Sequence, residues 1–324
     1  MTVVGLVNLG STCYLNTVLQ CMFAVPLIRE YFISFYHLDN VPECQIQNML
    51  AKLVYSLYTL KQPTRPQTFL NYLSHNFKAL NFHQQNDAHE FYTFLIDKII
   101  TKDHRTIFVL QGPSQRQPTS NRSLNQISNL AKTSWESGNN SELFHGQFVQ
   151  QIHCSKCDSF LHSIESFLIL NTNSLCLDKL FESQALPDYK CDKCKCVNTS
   201  DKVLRLWNIP KLLVININRF DITTNHTSKR HDLIEPLESI DVSKYIINSN
   251  IDHTSVKYRL MAVTAHIGSP MSGHYYAYIG NDTSTLHKQW YQIDDMNITS
   301  LGTQCLKNIG DVQRNSYLYF YCLV

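Results

Sequence analysis

Apolar positions recur along this chain with two different periods, and the change of period divides it. Over the first hundred residues the spacing is helical. Leu15, Val18, Leu19 and Met22 form an i, i+3, i+4, i+7 stripe, which predicts a helix from Tyr14 to Ala24 with Ser11 or Thr12 as its N-cap and Pro26 as its stop. Met49, Leu50, Leu53, Leu57 and Leu60 predict a second helix that ends at Pro63. A third starts at Asp87 and runs through Phe91, Phe94, Leu95 and Ile99, with Asp87 and Glu90 at the D-x-x-E spacing of a capping box.

Between His104 and Asn140 the periodicity fades. GPSQRQPTSNRS and SWESGNNS have the polar, Gly- and Pro-containing composition of a mobile insertion or long surface loop. After Phe144 short apolar and aromatic runs bounded by turn residues predict strands at Leu212–Ile217, Tyr258–Ala265, His274–Ile279, Gln289–Ile293 and Tyr317–Tyr321. Helices followed by a mostly antiparallel sheet make an α+β pattern. No repeat of about 20–50 residues interrupts it.

Composition narrows the setting. The 324 residues are 44% hydrophobic and 17% charged, as in a globular protein, and a formal net charge of +2 gives no bulk attraction to nucleic acid. The eleven cysteines are odd in number and too sparse for a disulfide scaffold of this length. The opening MTVVGLVNLGSTCYLN lacks the basic region and long apolar stretch of a signal peptide. No apolar run approaches the ~18 residues of a membrane-spanning helix. The cysteines therefore read as thiols and metal ligands in a reducing compartment. An intracellular protein, cytoplasmic or nuclear, is expected, with no membrane and no nucleic-acid partner.

Several residues carry candidate chemistry. Cys13 falls where the first helix starts, and there the unpaired N–H groups and the helix dipole favour a thiolate. Asn8, five residues earlier, has an amide that could donate to an oxyanion forming beside it. Cys21, inside the same helix, belongs with the core. A thiol nucleophile needs a base held in one tautomer. His274 follows a turn-rich loop, Gly268 to Gly273, and opens a strand; hairpin pairing would bring Asp294, with Asp295 next to it, to the strand's start. Cys154-x-x-Cys157 and Cys191-x-x-Cys194 form two knuckles, a donor set suited to one tetrahedral zinc, with Cys196 as a spare thiol.

Gly5-Leu6-Val7-Asn8-Leu9-Gly10-Ser11-Thr12-Cys13-Tyr14-Leu15-Asn16 resembles the cysteine box of the ubiquitin-specific protease family. Gln84-Gln85-Asn86-Asp87-Ala88-His89-Glu90-Phe91 resembles its glutamine–aspartate box, with Asn86 a departure from the commonest form. His266 through Tyr278 resembles the histidine box, and Trp290 to Asp295 the aspartate strand that follows. Leu213 to Phe220 and Tyr317 to Tyr321 are similar to its core and closing strands.

The resemblance implies a papain-like helical thumb, a palm of antiparallel sheet and a zinc-bearing fingers subdomain in a single catalytic domain over 1–324. Within it, about 1–103 would be the thumb, 104–142 a flexible insertion, 143–220 the fingers and the start of the palm, and 221–324 the palm. Nothing would be left over for an accessory domain. It further implies a cysteine-type deubiquitinase that cuts the isopeptide bond after ubiquitin's C-terminal glycine. Cys13 would be the nucleophile, His274 the base and Asp294 its orienting partner, with Asn8 at the oxyanion and Asp295 contributing. Gln85, Asp87 and Glu90 would bind ubiquitin's extended tail. The four knuckle cysteines would hold a structural zinc that takes no part in catalysis. Ubiquitin and its conjugates are the implied partners; the sequence leaves open whether an activating protein joins them. A catalytically silent ubiquitin-binding scaffold and a protease for a ubiquitin-like modifier are the alternatives.

Overall fold

A computed structural model of the chain describes residues 3–36, 44–78, 80–82, 84–101, 141–222, 227–248, 251, 254–270, 272–281 and 288–324. The insertion expected at 104–142 falls almost wholly outside them.

The first stripe forms α1 (Cys13–Ala24), and the helix is buried on every side. Its polar members are reconciled with burial by hydrogen bonds; Gln20 Nε2, for example, donates to the Val4 carbonyl at 2.9 Å. Pro26 does not simply stop the chain's helical course. Val25 is extended, and Pro26 then opens α2 (Pro26–Ile33) at the first helical position, where a missing N–H costs nothing. The second stripe forms α3 (Gln45–Val54), continued by a π-helical segment, Tyr55–Leu60, that ends on Lys61 in the left-handed region. A further helix, α4 (Gln67–Asn76), turns only Phe69, Leu70 and Leu73 inward, too short a stripe to stand out in the sequence. The third stripe forms α5 (Ala88–Thr101).

The chain then builds two sheets. The smaller contains β1 (Gly146–Cys154), β2 (Ser159–Phe167), β4 (Gln184–Ala185) and β5 (Ser200–Asn208), in the order β2-β1-β5-β4. The larger runs β13-β12-β11-β10-β14-β6-β3. Its strands are β3 (Ile169–Thr172), β6 (Leu212–Ile217), β9 (Ser239–Asp241, paired on β10), β10 (Lys257–Ser269), β11 (Ser272–Asn281), β12 (Gln289–Asp294), β13 (Asn297–Gly302) and β14 (Ser316–Leu323). Its pairings are antiparallel except for β3 with β6. A short ribbon of β7 (Phe220–Ile222) and β8 (Thr227–Lys229) stands apart.

Alternation along the strands splits the core in two. Val214, Ala277 and Phe320 face the helices, while Ile215, Tyr278 and Tyr319 fill a second core on the opposite face. Every residue of β6 is buried, as its unbroken apolar run requires. Arg219, just past β6, is also buried. Its guanidinium donates to the carbonyls of Ser316 (2.5 Å), Asp232 (2.9 Å) and Gln313 (2.9 Å), tying the centre of the sheet to the segment that leads into β14. This is the mixed helix and sheet architecture expected from the sequence, with helical front, antiparallel palm and finger-like second sheet. Among the described residues no helix is long and apolar enough to cross a membrane.

Candidate active site

The turn before α1 is locked by its own side chains. Asn8 Oδ1 accepts from the Gly10 N–H at 2.9 Å, and Thr12 Oγ1 accepts from the Leu9 N–H at 2.9 Å. This turn delivers Cys13 as the first residue of the helix, against β11, where the backbone N–H of Tyr275 meets its sulfur. Burial works against the thiolate that the helix start favours. Cys13 is only 3% exposed, and burial raises its pKa, with the Asp295 charge pushing the same way. The N–H groups of Tyr275 and Tyr14 offset this only in part. Desolvation outweighs the helix start.

His274 stands on β11 next to Tyr275. Pairing of β11 with β12 aligns Ala277 with Ile293, and His274 Nε2 donates to Asp294 Oδ1 at 2.5 Å. That bond puts the proton on Nε2 and leaves Nδ1 as the basic nitrogen. His274 and Asp294 thus stand together, beside the residue that contacts Cys13.

Asp295 occupies the tight turn between β12 and β13 with φ of 51°. Its carboxylate is clamped by two asparagines: Asn8 Nδ2 donates to one oxygen and Asn16 Nδ2 to the other, both at 2.8 Å. Its carbonyl accepts from the Leu6 N–H at 3.2 Å. Gly5 permits this approach, since a Cβ there would come within 2.2 Å of that carbonyl. Asn16 was not singled out by sequence reasoning as a site residue. Its signal is an amide three residues beyond Cys13, on the same face of a helix that is buried throughout.

The second box sits across the cleft. Asp87 Oδ1 accepts from the N–H groups of His89 (2.8 Å) and Glu90 (3.2 Å), capping α5. The same carboxylate accepts from the hydroxyls of Tyr275 (3.0 Å) and Tyr317 (2.9 Å). Asp87 is therefore committed within the protein, whereas Glu90, in the first turn of α5, is exposed. Gln85 pairs with the loop before His274, donating to the Gly273 carbonyl at 3.2 Å and accepting from its N–H at 3.4 Å. Cys13, Gln85, Asp87, His266, Gly273 and Tyr275 line a cavity of about 100 Å3.

The four knuckle cysteines converge at the far end of the small sheet. Cys154 and Cys157 flank the β1–β2 hairpin tip, and Cys191 and Cys194 precede β5. Their sulfurs lie within 4.8 Å of one another. Cys154 to Cys194 and Cys157 to Cys191 are each 3.7 Å. A tetrahedron of thiolates about 2.3 Å from one zinc ion has edges of about 3.8 Å, so the set fits that metal. The hydroxyls of Thr199 (3.3 Å from Cys154 Sγ) and Ser159 (3.0 Å from Cys157 Sγ) support the sulfurs from outside. The spare thiol of Cys196 turns away to the Cys194 carbonyl.

Comparison with known proteins places the chain in one family. A family model described as ubiquitin carboxyl-terminal hydrolase fits residues 4–321. A probable ubiquitin carboxyl-terminal hydrolase 16 of Schizosaccharomyces pombe is 26% identical over 90% of this chain and 61% of its own length. Ubiquitin carboxyl-terminal hydrolase 8 of Saccharomyces cerevisiae is 25% identical over 98% of this chain and 70% of its own. The chain thus spans about three-fifths of the first relative and somewhat more of the second. Among solved structures, the SAGA Ubp8/Sgf11/Sus1/Sgf73 DUB module bound to ubiquitin aldehyde shares the fold with a TM-score of 0.74 at 24% identity, covering 100% of this chain and 70% of that one.

Proposed function

The chain belongs to the ubiquitin carboxyl-terminal hydrolase family, and from that premise we propose that it is a cysteine-type deubiquitinase that cuts the isopeptide bond after ubiquitin's C-terminal glycine. One observation carries the reading: Cys13 meets the Tyr275 N–H of β11, next to a histidine whose Nε2 is held by Asp294 at 2.5 Å.

The steps follow from that placement. With Cys13 a thiol at rest, Nδ1 of His274 removes its proton when substrate fills the cleft, and Asp294 stabilises the imidazolium. The thiolate attacks the glycine carbonyl, and the second amide hydrogen of Asn8, not used on Asp295, donates to the oxyanion with backbone N–H groups. His274 then gives its proton to the departing lysine amine, leaving a thioester on Cys13. Water, deprotonated by His274, releases ubiquitin and restores the thiol. Asp295 acts by holding Asn8. Glu90 is the open carboxylate for an arginine of the tail; Asp87 and Gln85 shape the channel through Tyr275, Tyr317 and Gly273.

Cys154, Cys157, Cys191 and Cys194 would hold one zinc, which when bound closes the finger tips and supplies no chemistry to cleavage. Ubiquitin and its conjugates are the partners. Ubp8 was solved with Sgf11, Sus1 and Sgf73, and this supports an accessory protein here as well. All eleven cysteines lie among the described residues and no disulfide joins them, which suits a reducing intracellular compartment.

A ubiquitin probe with a C-terminal electrophile tests the reading. A single adduct that maps to Cys13 is expected. No adduct, or one on another cysteine, would overturn it.

A further inference from the structure

The cavity beside Cys13 is lined by a hydrogen-bond donor that has no acceptor among the described residues. His266, on β10, is 4% exposed, and its ring lies edge-on to Phe220 (5.3 Å) and tilted against Tyr275 (4.6 Å). Lys229, at the end of β8, reaches it from behind. Its Nζ donates to the His266 carbonyl at 2.5 Å and stands 3.3 Å from Nδ1. An ammonium offers only protons, so Nδ1 accepts and the proton of the neutral ring sits on Nε2. Burial, then Lys229 and His274, push His266 down to about 4, which keeps the ring neutral at physiological pH. Lys229, beside Arg219 and within the field of Asp311, is itself pushed down by burial to about 8 and is mainly charged at neutral pH.

Nε2 points to Gly273, where a Cβ would come within 2.2 Å of it, and both residues line the cavity with Cys13. No acceptor for Nε2–H occurs among the described residues. Nε2–H is therefore a donor of fixed tautomer on the cavity wall, available to an acceptor that enters the cavity.

We propose that His266 Nε2–H is a binding donor for a main-chain carbonyl of the extended segment that the cavity receives, and that Lys229 is the positioning residue that fixes its tautomer. The inference builds on the deubiquitinase reading but makes a separate claim about how the tail is gripped. A hydrogen bond to a peptide carbonyl made equally in the ground and transition states affects KM and not kcat.

The test joins spectroscopy to kinetics on the full chain. With 15N-labelled histidine, NMR should find His266 as the Nε2–H tautomer, gaining a proton only near pH 4, and Lys229→Met should convert it to a tautomer mixture. With a fluorogenic ubiquitin substrate, His266→Leu should raise KM about five- to tenfold with kcat within about twofold. His266→Gln, which retains a donor, should recover most of that loss. Cys13 alkylation by iodoacetamide should be unchanged in both, as a check that the cleft is intact.

An Nδ1–H tautomer in the unmodified protein, or an unchanged KM in His266→Leu, overturns the proposal. Ubiquitin affinity of the same variants separates the two readings. Affinity lost in His266→Leu with no turnover in the unmodified protein would sink the hydrolase reading and leave the donor role standing. Normal turnover with unchanged affinity and KM would do the reverse.

Discussion

The catalytic cleft and the cysteine tetrad at the finger tips are assembled by opposite routes. The cleft joins residues far apart in sequence, with 287 positions between Asn8 and Asp295 and 188 between Gln85 and Gly273. Its parts are already fixed by protein hydrogen bonds: Asp295 lies between two asparagines and Asp87 between two tyrosines. The tetrad spans only 40 and 34 positions across its close pairs. Its backbone is set by the hairpin and by the Ser155 N–H donating to the Thr199 carbonyl at 2.8 Å. The sulfurs themselves, once ionised, repel one another and call for a cation. A site of distant residues stands on its own protein contacts, while one of near neighbours leans on a ligand. The two should fail independently.

The sharpest separation comes from Cys13→Ala. Turnover should fall by at least about 10^4-fold while metal content, by atomic absorption, and ubiquitin affinity stay near normal. Hydrolysis that survives would remove Cys13 from the chemistry. Metal removal is the converse. Chelation, or Cys191→Ala, should lower stability by several kcal/mol in a denaturant melt, with iodoacetamide still reaching Cys13 at its former rate in the molecules that remain folded. Full stability without metal would refute the structural role. Parallel loss of Cys13 reactivity would join what the comparison keeps apart.

Within the cleft, Asn16→Ala deletes a hydrogen bond to a carboxylate, and a loss of about 1.5–3 kcal/mol is expected, read as lower stability and a ten- to hundredfold drop in kcat. Metal content should not move. The smallest effect concerns pH. Because burial raises the Cys13 pKa, its thiolate fraction at neutral pH is below that of an ordinary cysteine, and its alkylation should still be climbing beyond pH 9 in the free protein. A plateau below pH 8 would mean an ion pair at rest.

The two regions were not equally legible. The α1, α3 and α5 stripes and five palm strands could be read because burial leaves either a period in the sequence or, as in β6, an unbroken apolar run. The finger strands β1 and β2 could not. Gln150, Gln151, Ser163 and Glu165 leave both faces partly wet, so no alternation marks them. The finger site was nevertheless visible, because two cysteine knuckles need only local spacing. In the cleft, Cys13, His274 and Asp294 stood out in the sequence by their residue types at element boundaries. Asn16 and Lys229 were not, since their roles lie in tertiary contacts that no spacing encodes. The burial of Cys13 was not legible for a related reason: a helix start can be read from sequence, but the depth at which tertiary packing buries it cannot.

The position of β14 has a consequence for biosynthesis. Residues 316–323 form a strand inserted between β6 and β10, in the middle of the large sheet. A ribosome delivers β6 and β10 long before that partner emerges, so each waits with a bare edge of hydrogen-bonding groups open to wrong pairings. Arg219 waits as well, short of the Gln313 and Ser316 carbonyls it will bind. Chaperone dependence should therefore concentrate in the interval before translation reaches those residues, and nascent chains halted ahead of them should be the most aggregation-prone.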